Sequence, residues 1–179
     1  MANKIKPKLI IVLTIIMIIS AGILTWVQQK TEPIIEQHAQ EKKENAILTV
    51  LPGAEDYEEV TKGDLTLYKG TDSSGNLVGY AMENSEQGFQ SVLKLMIGLD
   101  IEQKKVLKVK ILNQAETPGL GARISEEEFK AQFNDKSFDD AFKAKEDIDA
   151  ISGATISSQA MSDGIEDAIK KIQNTEADL

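Results

Sequence analysis

An uncharged apolar run close to the N-terminus, residues 9–27, constrains the fold of this chain more than any other feature. Its 19 residues can cross a bilayer core as one helix, since a membrane span needs roughly 20 apolar residues. Trp26 stands at the far end, where an amphipathic ring suits the membrane interface. A cleaved signal peptide is the alternative, but the run is longer than a usual signal core and no small-residue cleavage site closes it. We therefore predict a retained transmembrane helix.

Lysines before this run set the predicted orientation. Lys4, Lys6 and Lys8 precede it, and the positive-inside tendency keeps such residues in the cytoplasm. We expect a single-pass protein of the cell membrane. Its predicted parts are a cytoplasmic N-terminus at 1–8, a transmembrane helix at 9–27, a juxtamembrane helix or linker at 28–55 and an extracytoplasmic domain at 56–179.

Composition narrows the chemistry that the chain can perform. It contains no cysteine, which excludes disulfides, cysteine-ligated iron–sulfur clusters and thiol catalysis. Its only histidine is His38, so neither a zinc site of the usual kind nor Ser-His-Asp catalysis is expected. The net charge is −9 and no basic cluster interrupts it, which argues against nucleic-acid binding. We predict no catalytic residue and no metal, so any redox chemistry requires an added organic cofactor.

The chain after the anchor predicts an α+β domain, an antiparallel sheet with flanking helices. Residues 90–99 are apolar almost throughout, which indicates a central strand covered on both faces. Apolar residues at three- and four-residue steps indicate a last helix at 157–173. Ser125 and Glu128 have the spacing of a capping box at a helix start. The predicted strands are 65–69, 77–82, 90–99 and 106–112, and the other predicted helices are 33–51, 126–133 and 138–145.

A polar stretch, residues 149–158, leads into the last predicted helix. Such a place collects unpaired backbone N–H groups and the positive end of the helix dipole, which suits an anion and above all a phosphate. Gly153 and Ala154 keep side-chain bulk away, and Thr155 presents a hydroxyl at the same point. The alternative is a plain helix cap by Thr155 or Ser157.

A second stretch, Glu-Thr-Pro-Gly-Leu-Gly at residues 116–121, follows the fourth predicted strand. Pro118-Gly119 is a common turn pair, because Pro fixes φ and Gly accepts a positive φ. By its structure alone, the stretch is a tight connection into the next helix.

Both stretches resemble one family. Asp-x-x-Ser-Gly-Ala-Thr at 149–155 resembles the flavinylation motif of the FMN-binding domain family, and Glu-Thr-Pro-Gly-Leu-Gly resembles its second block. That family includes the G subunit of the ion-translocating ferredoxin:NAD oxidoreductase (the Rnf complex) and the C subunit of the sodium-translocating NADH:quinone reductase. The blocks lie about thirty residues apart in the family order, and the resemblance covers roughly residues 65–172.

The resemblance implies a role for each matched residue. FMN would be held covalently, by a phosphoester bond to Thr155, and a separate flavin transferase would install it. That transferase would recognise Asp149, Ser152, Gly153 and Ala154. The other implied cofactor-binding residues are Ser152, Gly153, Ala154, Ser157, Ser158, Glu116, Thr117, Gly119 and Leu120. The family often places His two residues before the Glu, and here that position is Gln114.

The function implied by the resemblance is electron transfer. The chemistry would be the flavin's, with the protein supplying its position, and the covalent link would prevent its loss outside the cytoplasm. We expect a protein that relays electrons to other membrane subunits of the Rnf complex without independent turnover, and the short chain favours the G subunit over the C subunit. The alternatives are the quinone-reductase protein, a stand-alone flavin electron carrier, and an anchored cofactor-free binding module whose Ser-Gly-Ala-Thr is a helix cap.

Overall fold

The computed structural model describes residues 7–63 and 65–175, so Lys4 and Lys6 lie outside the described residues. It divides into two compact units, with the boundary between Glu41 and Lys42. The first helix, α1 (Pro7–Val50), has 44 residues and includes the predicted transmembrane run. By length and composition α1 can cross a membrane, and its apolar side chains from Leu9 to Val27 are exposed. The helix predicted at 33–51 is the continuation of α1, which contains Pro33 in its interior.

The second unit contains a five-stranded antiparallel sheet in simple meander order, which confirms the predicted fold class. Its strands are β1 (Asp56–Lys62), β2 (Leu65–Thr71), β3 (Leu77–Gln87), β4 (Val92–Asp100) and β5 (Lys105–Asn113). The sequence pattern did not predict β1, which lies at an edge and pairs only with β2. Glu58 and Glu59 are exposed, so β1 lacks the apolar alternation by which a half-buried strand is found.

Both faces of the sheet are covered within this unit. One face carries the larger core, in which Leu93, Leu95 and Ile97 of β4 lie among the buried residues of the last helix and of the loops before it. The other face is covered by the end of α1, where Ala46, Ile47 and Val50 pack with Met96 of β4. The prediction of a central strand covered on both faces is therefore confirmed for β4. A Cβ on Gly98 would collide with the carbonyl of Val50, so the close approach of α1 requires glycine there.

The last helix, α3 (Thr155–Thr175), begins two residues before the predicted start. Its predicted apolar stripe is buried against the sheet, with Met161, Ile165 and Ala168 fully covered. Buried Asn84 on β3 fixes the register, since its Nδ2 donates to the Gly164 carbonyl over 2.6 Å and its Oδ1 accepts from Lys171 over 2.8 Å. These bonds hold the middle and the C-terminal part of α3 in a defined place relative to the sheet.

The connection from β5 to α3 differs from the prediction at two places. The capping box is wrong: Ser125 ends a 3₁₀ helix (Gly121–Ser125), and the short α2 (Glu127–Ala131) starts after Glu126 without a side-chain cap. Glu126 has an extended backbone and separates the two short helices. Its carboxylate pairs with Arg123 over 3.2 Å.

The predicted helix at 138–145 is also wrong, because this segment forms turns around a carboxylate. Asp147 accepts hydrogen bonds from the backbone N–H groups of Phe142 and Lys143, at 3.0 and 2.6 Å, and from Lys136 Nζ at 3.0 Å. Phe138 and Phe142 are buried on this loop. Burial of the two aromatic rings and the hydrogen bonds accepted by Asp147 outweigh the weak helix preference of the segment.

Candidate cofactor-binding site at the start of α3

The two sequence blocks meet at one cavity of about 310 Å³ beside the first turn of α3. Three segments form it: the turn between β3 and β4, the loop after β5, and the loop that enters α3. Its lining residues are Phe89, Glu116, Thr117, Leu120, Gly121, Gly153, Ala154, Thr155, Ile156 and Ser157.

Thr155 is the first residue of α3 and is partly exposed to this cavity. The first-turn N–H groups of a helix have no preceding carbonyl in that helix, and they carry the positive end of its dipole. The first turn of α3 itself contains no acidic residue, and the carboxylate next to it is that of Glu116, which accepts a hydrogen bond from Ser157. Gly153 has a φ of 79°, which brings the chain into the helix through a left-handed turn that favours glycine. Among the described residues, none hydrogen-bonds to the Thr155 hydroxyl.

Glu116 is the buried hub that joins the three segments. Its Oε1 accepts from the backbone N–H groups of Gln90 and Ser91, both at 2.9 Å, and from Ser91 Oγ at 3.2 Å. Its Oε2 accepts from Ser157 Oγ at 2.6 Å. Glu116 is only 4% exposed, and Ser157 only 1%. One side chain therefore fixes the β3–β4 turn and the first turn of α3 around the cavity.

The environment of Glu116 keeps it ionised. Burial acts to raise its pKa, but hydrogen bonds from Ser157, Gln90 and Ser91 outweigh burial, and the pKa lies below its ordinary value of 4.5. With both oxygens occupied by donors, the carboxylate is a structural acceptor. Because its pKa is lowered, the carboxylate stays ionised at neutral pH and continues to accept these hydrogen bonds.

Two glycines make room for this hub. A Cβ on Gly88 would lie 2.7 Å from Glu116 Oε1, and a Cβ on Gly121 would lie 2.7 Å from both Glu116 Oε2 and Ser157 Oγ. Any larger residue would push the carboxylate from its donors. Close packing around Glu116 therefore requires a glycine at position 121, which is the last residue of the second sequence block.

Apolar side chains line the mouth of the cavity. Phe89 is 67% exposed, Ile156 57% and Leu120 46%. Of these three, the sequence motifs indicated only Leu120. Ile156 follows Thr155 directly, and Phe89 is an aromatic residue in a tight turn between two strands, which was the available signal for it.

Most, though not all, of the predicted site residues line this cavity. Gly119 does not, but its φ of 75° agrees with the predicted turn. Ser158 is fully buried, and its Oγ donates to the Ala154 carbonyl over 3.0 Å and accepts from the Ile151 N–H over 3.1 Å. Gln114, at the position where the family often has His, accepts the Glu116 N–H over 2.7 Å.

The predicted recognition residues Asp149 and Ser152 face a separate groove of about 300 Å³, which Arg123 and Gln132 also line. Gln132 holds Asp149 by its backbone, accepting its N–H over 2.7 Å and donating to its carbonyl over 3.3 Å. Both Asp149 and Ser152 are exposed. The motif is therefore divided, with the hydroxyl of Thr155 on one cavity and two polar residues on the neighbouring groove.

Known proteins with similar sequences agree with this site. Residues 88–170, which include every residue lining the cavity, match the FMN-binding domain family. The G subunit of the ion-translocating oxidoreductase complex of Methanosarcina acetivorans is 34% identical over 184 residues, covering 97% of this chain and 98% of the relative. The chain belongs to the G-subunit family of ion-translocating oxidoreductase complexes. The G subunit of the proton-translocating ferredoxin:NAD(+) oxidoreductase complex of Clostridium ljungdahlii is 27% identical over 165 residues, covering 89% of this chain and 88% of that one.

Solved structures show the same fold. The C subunit of the Na(+)-translocating NADH-quinone reductase from Parabacteroides distasonis superposes with a TM-score of 0.56 at 19% identity. The match covers 73% of this chain and 90% of that one. At this identity the comparison supports the sheet and helix arrangement of this G-subunit family member.

The cavity fits a flavin mononucleotide in part. Small-molecule sites span about 300–1,000 Å³, so this cavity is at the small end and would leave part of such a ligand uncovered. Its apolar mouth suits a flat aromatic ring, and the first turn of α3 suits a phosphate. Among the described residues that line it, none is Lys or Arg, so a phosphate here would rely on the backbone N–H groups at the start of α3.

Proposed function

We propose that this chain is the membrane-anchored electron-transfer protein of an ion-translocating ferredoxin:NAD oxidoreductase complex and carries FMN on Thr155 through a phosphoester bond. The observation that carries the proposal is the position of the Thr155 hydroxyl. It lies at the first residue of α3, on the cavity that the two flavin-family blocks build together. The G-subunit relatives, which match almost the full chain, belong to complexes of this kind and support this part of the proposal.

Thr155 is the hydroxyl best placed for the bond. Ser157 donates to Glu116, and Ser158 donates to the Ala154 carbonyl, and both are buried. Ser152 is exposed but lies on the other groove. Of these hydroxyls, that of Thr155 combines access to the cavity with the lack of a hydrogen-bond partner among the described residues.

The chemistry of attachment requires a second protein. As the Thr155 oxygen bonds to the flavin phosphorus, the hydroxyl loses its proton and a leaving group departs from phosphorus, which is water when FMN is the donor and the activating group when an activated FMN phosphate is the donor. Among the described residues that line the cavity, only Glu116 has a carboxyl or other basic group. Its oxygens already accept from donors of three residues and its pKa is lowered, so it is a poor general base. A separate flavin transferase would supply the base, and exposed Asp149 and Ser152 offer it a recognition surface next to Thr155.

When bound, the flavin supplies the redox chemistry, and this chain positions it. The ester would fix the phosphate at the helix start, while the apolar mouth formed by Phe89, Leu120 and Ile156 would receive the ring. Because the cavity is small, one edge of the ring would remain open to a neighbouring protein of the complex. This arrangement suits electron relay within a complex.

The anchor gives the protein its location. α1 is long and apolar enough to cross a membrane, and the lysines before the apolar run favour a cytoplasmic N-terminus. The flavin domain would then lie outside the cytoplasm, where free FMN is scarce and a covalent bond prevents its loss. Membership of the G-subunit family favours this complex over the quinone reductase and over a stand-alone carrier.

An intact-mass measurement tests the proposal. The full-length protein is purified in detergent after expression with and without a flavin transferase. We expect a mass increase of one FMN less one water only with the transferase, together with fluorescence that survives denaturation. A colourless protein of unmodified mass from the coexpression would leave the cofactor-free binding module as the better description.

A further inference from the structure

Phe89 is exposed in a way that packing does not explain. The chain has five phenylalanines, and the other four are 8% exposed or less. Phe89 is 67% exposed. A large aromatic side chain left in water forfeits the favourable free energy of its burial, so an exposed ring beside a cavity indicates a binding surface.

The turn that carries Phe89 is held firmly. The Gly88 N–H donates to the Ser91 carbonyl over 2.8 Å, and the Gln90 and Ser91 N–H groups donate to Glu116. Thr117 Oγ1 adds a 3.0 Å bond to Gln90 Oε1. The position of Phe89 is therefore fixed by the same carboxylate that holds the first turn of α3 through Ser157.

The surroundings of Phe89 define what it can bind. It shares one cavity with exposed Leu120, exposed Ile156 and the Thr155 hydroxyl. Three apolar side chains suit a flat, largely apolar ring, while the hydroxyl and the helix start suit the phosphate at the other end of the same ligand. Aromatic rings contact one another in offset-stacked or edge-to-face arrangements.

We propose that Phe89 is the ring-contacting residue of this site: it lies against the isoalloxazine ring of the flavin carried by Thr155 and limits the ring's movement and its exposure to water. The inference rests on the proposed function and adds a residue outside both sequence blocks. Leu120 and Ile156 complete the apolar contact. Phe89 acts here by positioning the ring, since its side chain cannot transfer a proton.

A tryptophan placed at this position tests the contact directly. An indole in van der Waals contact with a flavin quenches its fluorescence by electron transfer to the excited ring. In flavinylated Phe89→Trp, we expect the fluorescence of the folded protein to fall several-fold relative to the same sample after denaturation. This ratio cancels any difference in flavin loading.

Leu77→Trp is the matched control. Leu77 is also apolar and 41% exposed, but it opens β3 while Phe89 follows the other end of that strand. At about 3.3 Å per residue, the strand separates the two positions by roughly 30 Å. The control should leave the folded-to-denatured ratio of the wild type unchanged.

Phe89→Leu gives a second readout that needs no introduced quencher. With the ring contact weakened, the fluorescence anisotropy of the bound flavin should fall and its reduction potential should shift, while the covalent mass stays. Because Phe89 is exposed, neither substitution should affect folding, and circular dichroism checks this.

The outcomes separate this inference from the proposed function. A wild-type protein without the FMN mass overturns both. Full FMN mass with equal ratios in Phe89→Trp and Leu77→Trp overturns the ring contact alone, and it would assign exposed Phe89 to a contact with a neighbouring protein instead.

Discussion

The Ser157 hydroxyl donates a 2.6 Å hydrogen bond to Glu116 Oε2, and this contact joins two chain segments 41 residues apart. Ser157 lies in the first turn of α3, two residues after Thr155, and Glu116 lies in the loop that follows β5. Both side chains are buried. The geometry of the site therefore depends on a polar contact below it, in addition to the residues that face the cavity.

Glu116→Ala should destabilise the domain strongly. It leaves the buried Ser157 hydroxyl without its acceptor, and an unsatisfied buried group costs about 1–3 kcal/mol. The part-buried N–H groups of Gln90 and Ser91 lose the same acceptor. We expect the free energy of unfolding to fall by at least about 2 kcal/mol, measured by urea denaturation of the full chain in detergent. Glu126→Ala, which removes an exposed carboxylate from the Arg123 pair, is the control and should change stability little. Equal effects of the two substitutions would contradict the role of Glu116 as a hub.

Acid should weaken the same contact. The pKa of Glu116 is lower in the folded protein than its ordinary value of 4.5, so its contribution is complete above that value. It is lost as the pH falls from about 4.5 through the lowered pKa, because the protonated carboxyl no longer accepts from all of its donors. The urea midpoint should therefore decrease over this range. In Glu116→Gln the midpoint should start lower at neutral pH and depend less on pH, whereas a parallel curve would assign the acid sensitivity to other carboxylates such as Asp147, whose pKa is also lowered.

Gly119→Val should disturb the flavin without removing it. Gly119 has a φ of 75°, which a β-branched residue adopts only with strain, and it precedes Leu120 of the cavity. We expect a shifted flavin absorption spectrum or reduction potential at unchanged covalent mass. Gly63→Val is the control, since Gly63 also has a positive φ, 58°, and open space around it, but lies in the β1–β2 turn. The wild-type spectrum in a folded Gly119→Val protein would reduce residues 116–121 to a structural turn.

The pattern of apolar residues predicted the parts of this fold that bury most of their side chains. The helix α3 was found from its apolar stripe at three- and four-residue steps, and β4 was found because its run is too uniformly apolar for a half-exposed strand. β1 was missed because its exposed residues are largely charged and its pairing with β2 alone defines it. The segment at 138–145 was mistaken for a helix because its charged composition does not reveal that the Asp147 carboxylate binds the Phe142 and Lys143 N–H groups.

The site was predictable where a family motif marks it. Thr155 and the loop at 116–121 were found in this way, and the structure brings them to one cavity. Phe89 and Ile156 were missed because only the folded chain shows that they are exposed at the mouth of that cavity. The structural role of Glu116 was missed for a similar reason: its donors lie 25, 26 and 41 residues away in the sequence.

Topology can be tested with protease on intact spheroplasts. The lysines before the apolar run favour a cytoplasmic N-terminus, so the domain after α1 should lie outside. We expect added protease to digest the domain while a cytoplasmic marker protein survives. Digestion only after the cells are broken would contradict the predicted orientation and place the domain in the cytoplasm.

Thr155→Val should abolish covalent flavin at little cost in stability. Valine keeps the branched shape at a partly exposed position whose hydroxyl no described residue engages, so only the nucleophile is lost. We expect unmodified mass and no fluorescence after denaturation, with a thermal midpoint close to that of the wild type. Thr155→Ser, which retains a hydroxyl able to form the same ester, should keep part of the modification. Peptide mapping of the wild type should place the added mass on Thr155. Fluorescence that survives denaturation in Thr155→Val would move the attachment to another hydroxyl, and exposed Ser152 would then be the first to examine.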